Sequence, residues 1–274
     1  MNNQLSEEKD MKVGVIGLGN MAKAIIGGII EKGGVNPESI YGSDVSAEAV
    51  LFAREKLGIN AYKDDNAAVA KEADILFLAV KPQYLPGAAE SFKDAIRPET
   101  VIVSIVAGKS IAFLESLFGA HKIVRCMPNT PALVGEGCTA MTPNKSVSDA
   151  EFIMVKDLLS TFGRAIPVGE NMMDAVVGVS GSAPAYVFMF IEAMADGAVA
   201  AGMPRLQAYE FAAQAVYGSA KLMIDTGKHP GELKDMVCSP AGTTIEAVKV
   251  LEEGGFRANV MDAVIAAAER NRSL

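Results

Sequence analysis

The chain has 274 residues, a length that suits two domains or one domain with a large helical extension. Half of its residues are hydrophobic and 21% are charged, which is typical of a packed soluble protein. The formal net charge of −8 repels phosphate backbones and argues against a nucleic-acid partner, although a local site for a cofactor phosphate remains compatible with it.

The first residues and the cysteines indicate where the protein works. Residues 1–11 are polar, carry no apolar signal core and are predicted to be a disordered leader. The cysteines are Cys126, Cys138 and Cys238, and no two of them form a C-x-x-C pair. These features favour a reducing, cytoplasmic setting.

Short apolar runs alternate with amphipathic stretches over residues 12–168. Strands are predicted at residues 13–16, 40–43, 75–80, 101–106 and 123–126. Helices are predicted between them, at residues 21–32, 47–57, 85–95 and 110–118. This alternation predicts an α/β domain, a doubly wound parallel sheet with helices on both faces.

The strand pattern stops after residue 168, and residues 169–274 are predicted to be all helical. The charge-free run 175–191 contains glycines and a proline, so it is interpreted as a buried helix rather than a membrane span. Two final helices are predicted at residues 243–252 and 255–271. Helices that are apolar nearly all round must be buried on several sides, so we expect a partner subunit to cover part of this domain. A monomer with a thick helical core is the alternative.

A G-x-G-x-x-A motif at Gly17, Gly19 and Ala22 joins the first strand to the first helix. Gly17 permits the tight turn, Gly19 lets the backbone approach a pyrophosphate, and Ala22 allows close helix–strand packing. The helix start would then face the anion, which predicts a dinucleotide site. A tight turn without a ligand is the alternative.

The end of the second strand bears on which dinucleotide binds. Asp44 stands where an acidic residue usually holds the ribose hydroxyls of NAD, and no arginine follows it immediately. Ser43 and Ser46 could nevertheless accept a 2′-phosphate, so these residues leave both cofactors open.

Candidate ligand contacts follow two later strands. Lys81 and Pro82 come after the strand predicted at residues 75–80, and Asn129 comes after the strand predicted at residues 123–126. Ligands of open parallel sheets bind beyond such strand ends, so these residues are candidate cofactor contacts. A surface lysine and a turn-capping asparagine are the respective alternatives.

A short loop at residues 239–244 precedes the helix predicted at residue 243. Ser239, Gly242, Thr243 and Thr244 place hydroxyl and free N–H groups at a helix N-terminus, which suits a carboxylate. Plain N-capping is the alternative.

Five segments together resemble motifs of the pyrroline-5-carboxylate reductase family. The longest covers residues 233–252 and includes the loop above; the others are residues 17–22, 79–83, 127–131 and 181–186. The resemblance implies a Rossmann-type NAD(P)-binding domain at residues 12–168 and a helical substrate-binding and dimerisation domain at residues 169–274. It also implies homodimers through the C-terminal helices, which in this family often assemble into larger rings.

The resemblance assigns roles to individual residues. It implies that Ser239, Gly242, Thr243 and Thr244 hold the substrate carboxylate, with the catalytic hydroxyl of Thr244 near the ring nitrogen. The family commonly prefers NADPH and accepts NADH, so NADPH is the expected cofactor, although Asp44 departs in the NAD direction. Ala241 replaces a glycine found in many members, and the added methyl is expected to be harmless. The implied cofactor contacts are Gly17, Gly19, Asn20, Met21, Ser43, Asn66, Ala79, Lys81, Pro82 and Asn129.

The expected reaction is hydride transfer from NAD(P)H to the C=N bond of 1-pyrroline-5-carboxylate, which gives L-proline in the last step of proline biosynthesis. The two histidines, His121 and His229, lie far apart, and neither a metal set nor a Ser–His–Asp order is evident. A protonated imine needs only an aligned hydride donor.

Two rival functions differ from this reaction. A 3-hydroxy-acid dehydrogenase would need a lysine base, and no lysine lies between Lys156 and Lys221. A non-catalytic NAD(P)-binding sensor would not need the loop at residues 239–244.

Overall fold

The computed structural model describes residues 11–273, so the predicted leader lies outside the described residues apart from Met11. The chain forms two compact units. Of the described residues, the first unit contains 11–181 and 268–273, and the second is Ser182–Ala267. The last strand ends at Pro167, close to the domain boundary expected at residue 168, whereas the compact units divide at Gly181.

An eight-stranded sheet organises the first unit, in the order β3-β2-β1-β4-β5-β6-β7-β8. Neighbours from β3 to β6 are parallel, as predicted. β7 runs antiparallel to β6, and β8 is parallel to β7. The connection at residues 128–136 is shorter than the dozen or so residues that a parallel crossover needs, so β7 returns antiparallel. The strands are β1 (Val13–Ile16), β2 (Ile40–Asp44), β3 (Asn60–Lys63), β4 (Ile75–Leu78), β5 (Val101–Ser104), β6 (Lys122–Met127), β7 (Gly137–Pro143) and β8 (Gly163–Pro167).

Three of these strands, β3, β7 and β8, are not among the predicted runs. β3 and β8 lie at the two edges of the sheet and are partly exposed, so they lack a continuous apolar run. β7 is largely buried but is built from small and hydroxyl-bearing residues such as Thr139 and Ala140. Apolar periodicity therefore misses all three.

The helices of the first unit begin at side-chain caps in several places. Ser46, Asp65, Ser110 and Ser148 each accept a backbone N–H of the first turn. The helix predicted at residues 85–95 is wrong in extent, because it ends at Glu90 and Phe92 turns into the core with φ of −143°. The helices are α1 (Asn20–Lys32), α2 (Ala47–Leu57), α3 (Asn66–Glu72), α4 (Leu85–Glu90), α5 (Ile111–Phe118), α6 (Asp149–Ser160) and α7 (Met173–Val176).

The core lies on both faces of the sheet, as the doubly wound prediction requires. On β4, Ile75 and Phe77 belong to one hydrophobic cluster, which includes residues of α1, α2 and α6. Leu76 and Leu78 belong to the other, which includes residues of α3, α4 and α5. Alternate side chains of a strand point to opposite faces, so one fully buried strand supports both cores.

The second unit is helical. Its helices are α8 (Ala183–Ala200), α9 (Arg205–Thr226), α10 (Pro230–Val237), α11 (Thr243–Glu253) and most of α12 (Phe256–Arg272). The two helices predicted at residues 243–252 and 255–271 are confirmed to within one residue at each end. A π turn, Val177–Gly181, immediately precedes this unit.

Few residues of the second unit are fully buried within the described chain. Its only buried residues are Ala195, Ala208 and Ala212. Phe188 is 65% exposed and Leu206 is 80% exposed. The prediction that residues 175–191 form a buried helix is therefore wrong for the single chain. The stretch Glu170–Ala200 is long and apolar enough to cross a membrane by length and composition alone.

Candidate functional site

The turn between β1 and α1 accepts only glycine at its first position. Gly17 has φ of 93°, and a Cβ there would lie 2.8 Å from the carbonyl oxygen of Ala79. The N–H of Gly17 donates to the carbonyl of Ser43 over 2.8 Å, and the N–H of Ala79 donates to that of Ile16 over 2.8 Å. The turn is thus fixed between the ends of β2 and β4.

Gly19 leaves room for a ligand at the start of α1. A Cβ at this position would meet no heavy atom within 4 Å. Gly19 is the N-cap of α1, and no side chain caps the helix. The first N–H groups of α1 therefore lack a side-chain acceptor and are available to an anion, so these residues fit a dinucleotide pyrophosphate.

A cavity of about 750 Å³ opens beyond the carboxyl ends of β1, β2 and β4. The strand order reverses here, which is where open α/β sheets bind ligands. Four predicted cofactor residues do not line the cavity, namely Asn20, Met21, Pro82 and Asn129. The predicted residues that line it are Gly17, Gly19, Ser43, Asn66, Ala79 and Lys81.

Some residues that line the cavity are not predicted from the sequence. Asp64 follows β3, a strand that the apolar pattern does not reveal. Tyr84 and Ser91 lie on the segment after Lys81, where the only available signal is their closeness in sequence to a strand exit.

The end of β2 is held by hydrogen bonds to the backbone. Asp44 Oδ2 accepts from the N–H of Leu18 over 2.7 Å, and its Oδ1 accepts from the N–H of Ser46 over 2.7 Å. The Ser43 hydroxyl is fully buried and accepts from the N–H of Asp65 over 3.1 Å. The Ser46 hydroxyl caps α2. Both hydroxyls considered for a 2′-phosphate therefore accept a backbone N–H, which leaves only their own O–H as a donor.

Asn66 and Lys81 stand on opposite sides of β1 in the strand order. Asn66 is the first residue of α3, and its side-chain amide donates to Ser91 Oγ over 3.0 Å. Lys81 is exposed and follows β4. Among the described residues that line the cavity, it is the only cation.

Asn129 makes contacts within the fold. Its side-chain amide donates to Ser180 Oγ over 3.1 Å, and its Oδ1 accepts from the N–H of Cys138 over 2.8 Å. These bonds tie the exit of β6 to the start of β7 and to the π turn. They therefore favour a structural role for Asn129 in the turn, which is the alternative to a cofactor contact.

The second unit presents the hydroxyl-rich loop. α10 ends at Val237 and α11 begins at Thr243, with Gly242 as an N-cap that has no side-chain cap. Among residues 11–273, the hydroxyls of Ser239, Thr243 and Thr244 have no hydrogen-bond partner. Plain N-capping therefore does not occupy them, and the loop offers free donors at the start of a helix.

Ala241 has a backbone cost that its size does not reveal. Its φ is 56°, in the left-handed region that favours glycine. An L-residue with a Cβ costs roughly 1–2 kcal/mol there. The expectation that alanine is harmless considers only the added methyl, whereas the strain lies in the backbone.

Comparison with known proteins identifies relatives over nearly the whole chain. The profile "Pyrroline-5-carboxylate reductase dimerisation" matches residues 170–274, and "NADP oxidoreductase coenzyme F420-dependent" matches residues 12–108. The pyrroline-5-carboxylate reductase of Escherichia coli is 50% identical over 97% of this chain and 98% of its own length.

Solved structures agree with these matches. A pyrroline-5-carboxylate reductase from Coxiella burnetii is 32% identical with a TM-score of 0.89, covering 96% of this chain and 98% of its own. The Plasmodium falciparum pyrroline carboxylate reductase, solved with NADP bound, is 31% identical with a TM-score of 0.87 over the same shares.

Proposed function

This chain belongs to the pyrroline-5-carboxylate reductase family, and we propose from that premise that it reduces the C=N bond of 1-pyrroline-5-carboxylate to give L-proline. It is an NAD(P)H-dependent oxidoreductase. The structural observation that carries the proposal is the loop at residues 239–244, whose hydroxyls have no hydrogen-bond partner in the described part of the chain and lie beside an uncapped helix start. A small carboxylate-bearing substrate suits such a loop.

The dinucleotide binds in the cavity beyond β1, β2 and β4. Gly17 and Gly19 shape the turn under the pyrophosphate, and the uncapped start of α1 supplies N–H donors. The reduced nicotinamide, when bound, supplies the hydride. Asn66, at the start of α3, and Ala79 and Lys81, after β4, also line the cavity. Asn20, Met21, Pro82 and Asn129 stay proposals from family resemblance.

The substrate is held by the loop of the helical unit. Ser239, Gly242 and Thr243 bind its carboxylate, and the Thr244 hydroxyl holds the ring nitrogen by a hydrogen bond. Hydride transfer requires the donor and acceptor carbons about 3–3.5 Å apart, so the chain's task is to bind and orient. No strong acid is needed, because a protonated imine carbon is already electrophilic.

The protein works as an oligomer, and we propose a homodimer through α8 to α12, with rings of dimers as the larger assembly. A unit whose only buried residues are three alanines has no core of its own. The exposed apolar residues of Glu170–Ala200 then face a second copy rather than lipid. We place this enzyme in the cytoplasm, where its free cysteines stay reduced.

A spectrophotometric assay tests the function. The absorbance of NADH or NADPH should fall when 1-pyrroline-5-carboxylate is added, and no reduction of NAD(P)⁺ should occur with a 3-hydroxy acid. Steady absorbance in both assays would favour a non-catalytic sensor. Activity with the hydroxy acid alone would favour the dehydrogenase.

Thr244→Ala tests the loop. We expect kcat to fall by about a hundredfold or less while dinucleotide affinity is unchanged, because the hydroxyl positions the nitrogen. Thr244→Ser, which keeps the hydroxyl, should restore most of the rate. Complete loss of activity in a folded Thr244→Ala protein would instead require obligatory proton transfer through this residue.

A further inference from the structure

The cofactor cavity has an acidic side. The charged residues that line it are Asp44, Asp64 and Lys81. Asp44 ends β2 and Asp64 follows β3, and the two are joined by a hydrogen bond from the N–H of Asp64 to the carbonyl of Asp44 over 3.1 Å. Lys81 follows β4, with β1 between it and β2 in the sheet. The negative charge is thus concentrated at the β2–β3 side, where the adenosine ribose of a dinucleotide lies.

The bonding of Asp44 suits a ribose diol. A carboxylate offers about four acceptor positions, and the N–H groups of Leu18 and Ser46 occupy two. The remaining positions can accept the 2′- and 3′-hydroxyls of an unphosphorylated ribose. A 2′-phosphate offers only acceptors and further negative charge, so it would meet Asp44 without any hydrogen bond to offset the repulsion.

Among residues 11–273, no cation on the β2–β3 side lines the cavity beside the two carboxylates. Lys63 is the register neighbour of Asp44, yet it neither lines the cavity nor pairs with Asp44 within the described chain. The Arg54 guanidinium donates to the carbonyl of Ala61 over 2.7 Å and is likewise outside the lining. The hydroxyls of Ser43 and Ser46 each accept a backbone N–H and keep their own proton as a donor, but as neutral groups they do not offset the two negative charges.

We propose that Asp44, assisted by Asp64, makes this chain prefer NADH over NADPH. The inference rests on the proposed function only in taking this cavity as the dinucleotide site. It reverses the cofactor preference that family resemblance suggests, because the residue at the end of β2 rather than the shared glycine turn meets the 2′ position.

Binding to the ligand-free protein, without substrate, is the direct test. Titration of nicotinamide fluorescence should give a dissociation constant for NADH at least about tenfold below that for NADPH at low ionic strength. The difference between the two dissociation constants should become smaller at high salt, because the discrimination is electrostatic. 5′-AMP should likewise displace NADH better than 2′,5′-ADP does. Equal or tighter binding of NADPH overturns the inference. Failure of both dinucleotides to bind would overturn the cavity assignment instead.

Three variants assign the preference to its residues. Asp44→Ser should shift the NADPH-to-NADH ratio of dissociation constants about tenfold toward NADPH. The readout is the ratio of the two dissociation constants, because Asp44 also supports the glycine turn and its replacement weakens the binding of both dinucleotides. Asp64→Asn keeps a residue that tolerates φ of 53° and should shift the ratio in the same direction by less. Asp157→Asn on α6 makes the same change in net charge and should leave the ratio unchanged. Unchanged ratios in both cavity variants would overturn the proposal.

Discussion

The side chain of Asn129 donates a hydrogen bond to Ser180 Oγ over 3.1 Å, although the two residues are 51 positions apart in sequence. The same carboxamide accepts from the N–H of Cys138. Ser180 lies in the π turn Val177–Gly181. One side chain therefore fixes the exit of β6, the start of β7 and this turn, a type of irregularity that is frequent at functional sites.

Asn129→Ala should lower the free energy of unfolding by about 1–3 kcal/mol, because the Cys138 N–H loses its acceptor. Asn129→Asp keeps that acceptor and should cost less. Urea unfolding and NADH titration of the same samples measure both effects. An unfolding free energy equal to wild type, together with weakened NADH binding, would show that Asn129 acts on the cofactor rather than on the fold.

The two glycines of the β1–α1 turn should respond differently to alanine. Gly17→Ala should destabilise the protein by more than about 1 kcal/mol, because of its positive φ and the 2.8 Å approach to the Ala79 carbonyl. Gly19→Ala should fold normally, because its Cβ meets open space, but should bind NADH and NADPH more weakly. Thermal unfolding and dinucleotide titration separate the two. Wild-type affinity in Gly19→Ala would contradict a pyrophosphate at this position.

Ala241→Gly should raise the free energy of unfolding by about 1 kcal/mol, since glycine adopts φ of 56° without strain. Ala247→Gly, in the interior of α11, is the matched control and should lower it by about 1 kcal/mol. Both are compared by urea unfolding at one protein concentration, because association contributes to stability. If Ala241→Gly lowers the free energy of unfolding as Ala247→Gly does, Ala241 is not strained.

Phe188→Asp should weaken self-association by at least about tenfold, because it places a charge on the exposed apolar face of α8. Leu51→Asp is the control, since Leu51 is 53% exposed on α2 of the first unit. Sedimentation over a dilution series measures the change. Equal dissociation of both variants, or wild-type association of both, would contradict a dimer through the helical unit.

Glu151 should make the free energy of unfolding depend on pH in the acidic range. Burial raises its pKa, but hydrogen bonds from Lys122 and Ser148 outweigh burial and lower the pKa from 4.5 to about 2. A depressed folded-state pKa stabilises the protein above pH 4.5, on the order of 2 kcal/mol, and this contribution disappears as the pH falls toward 2. Urea unfolding of wild type and Glu151→Gln should therefore differ at pH 7 and converge near pH 2. A constant difference across this range would argue against the shift.

The sequence predicts the central strands and the glycine turn well, because each depends on local pattern. Ile75 to Leu78 are apolar at every position since both faces of β4 are covered, and Gly17 is required by its own backbone angle. The edge strand β3 and the strand β7 escape prediction, because partial exposure and small residues remove the apolar signal. Residues that depend on them, such as Asp64 in the cavity, are missed in turn.

The sequence alone determined the fold class, the family and the loop at residues 239–244, since these are carried by contiguous motifs whose chemistry is local. Tertiary structure decided what individual polar side chains bond to. Asp44 is joined to Leu18, and Asn129 to Cys138 and Ser180, by contacts between segments distant in sequence. It also decided that α8 is exposed, because burial depends on which surfaces meet and not on the apolar character of one helix.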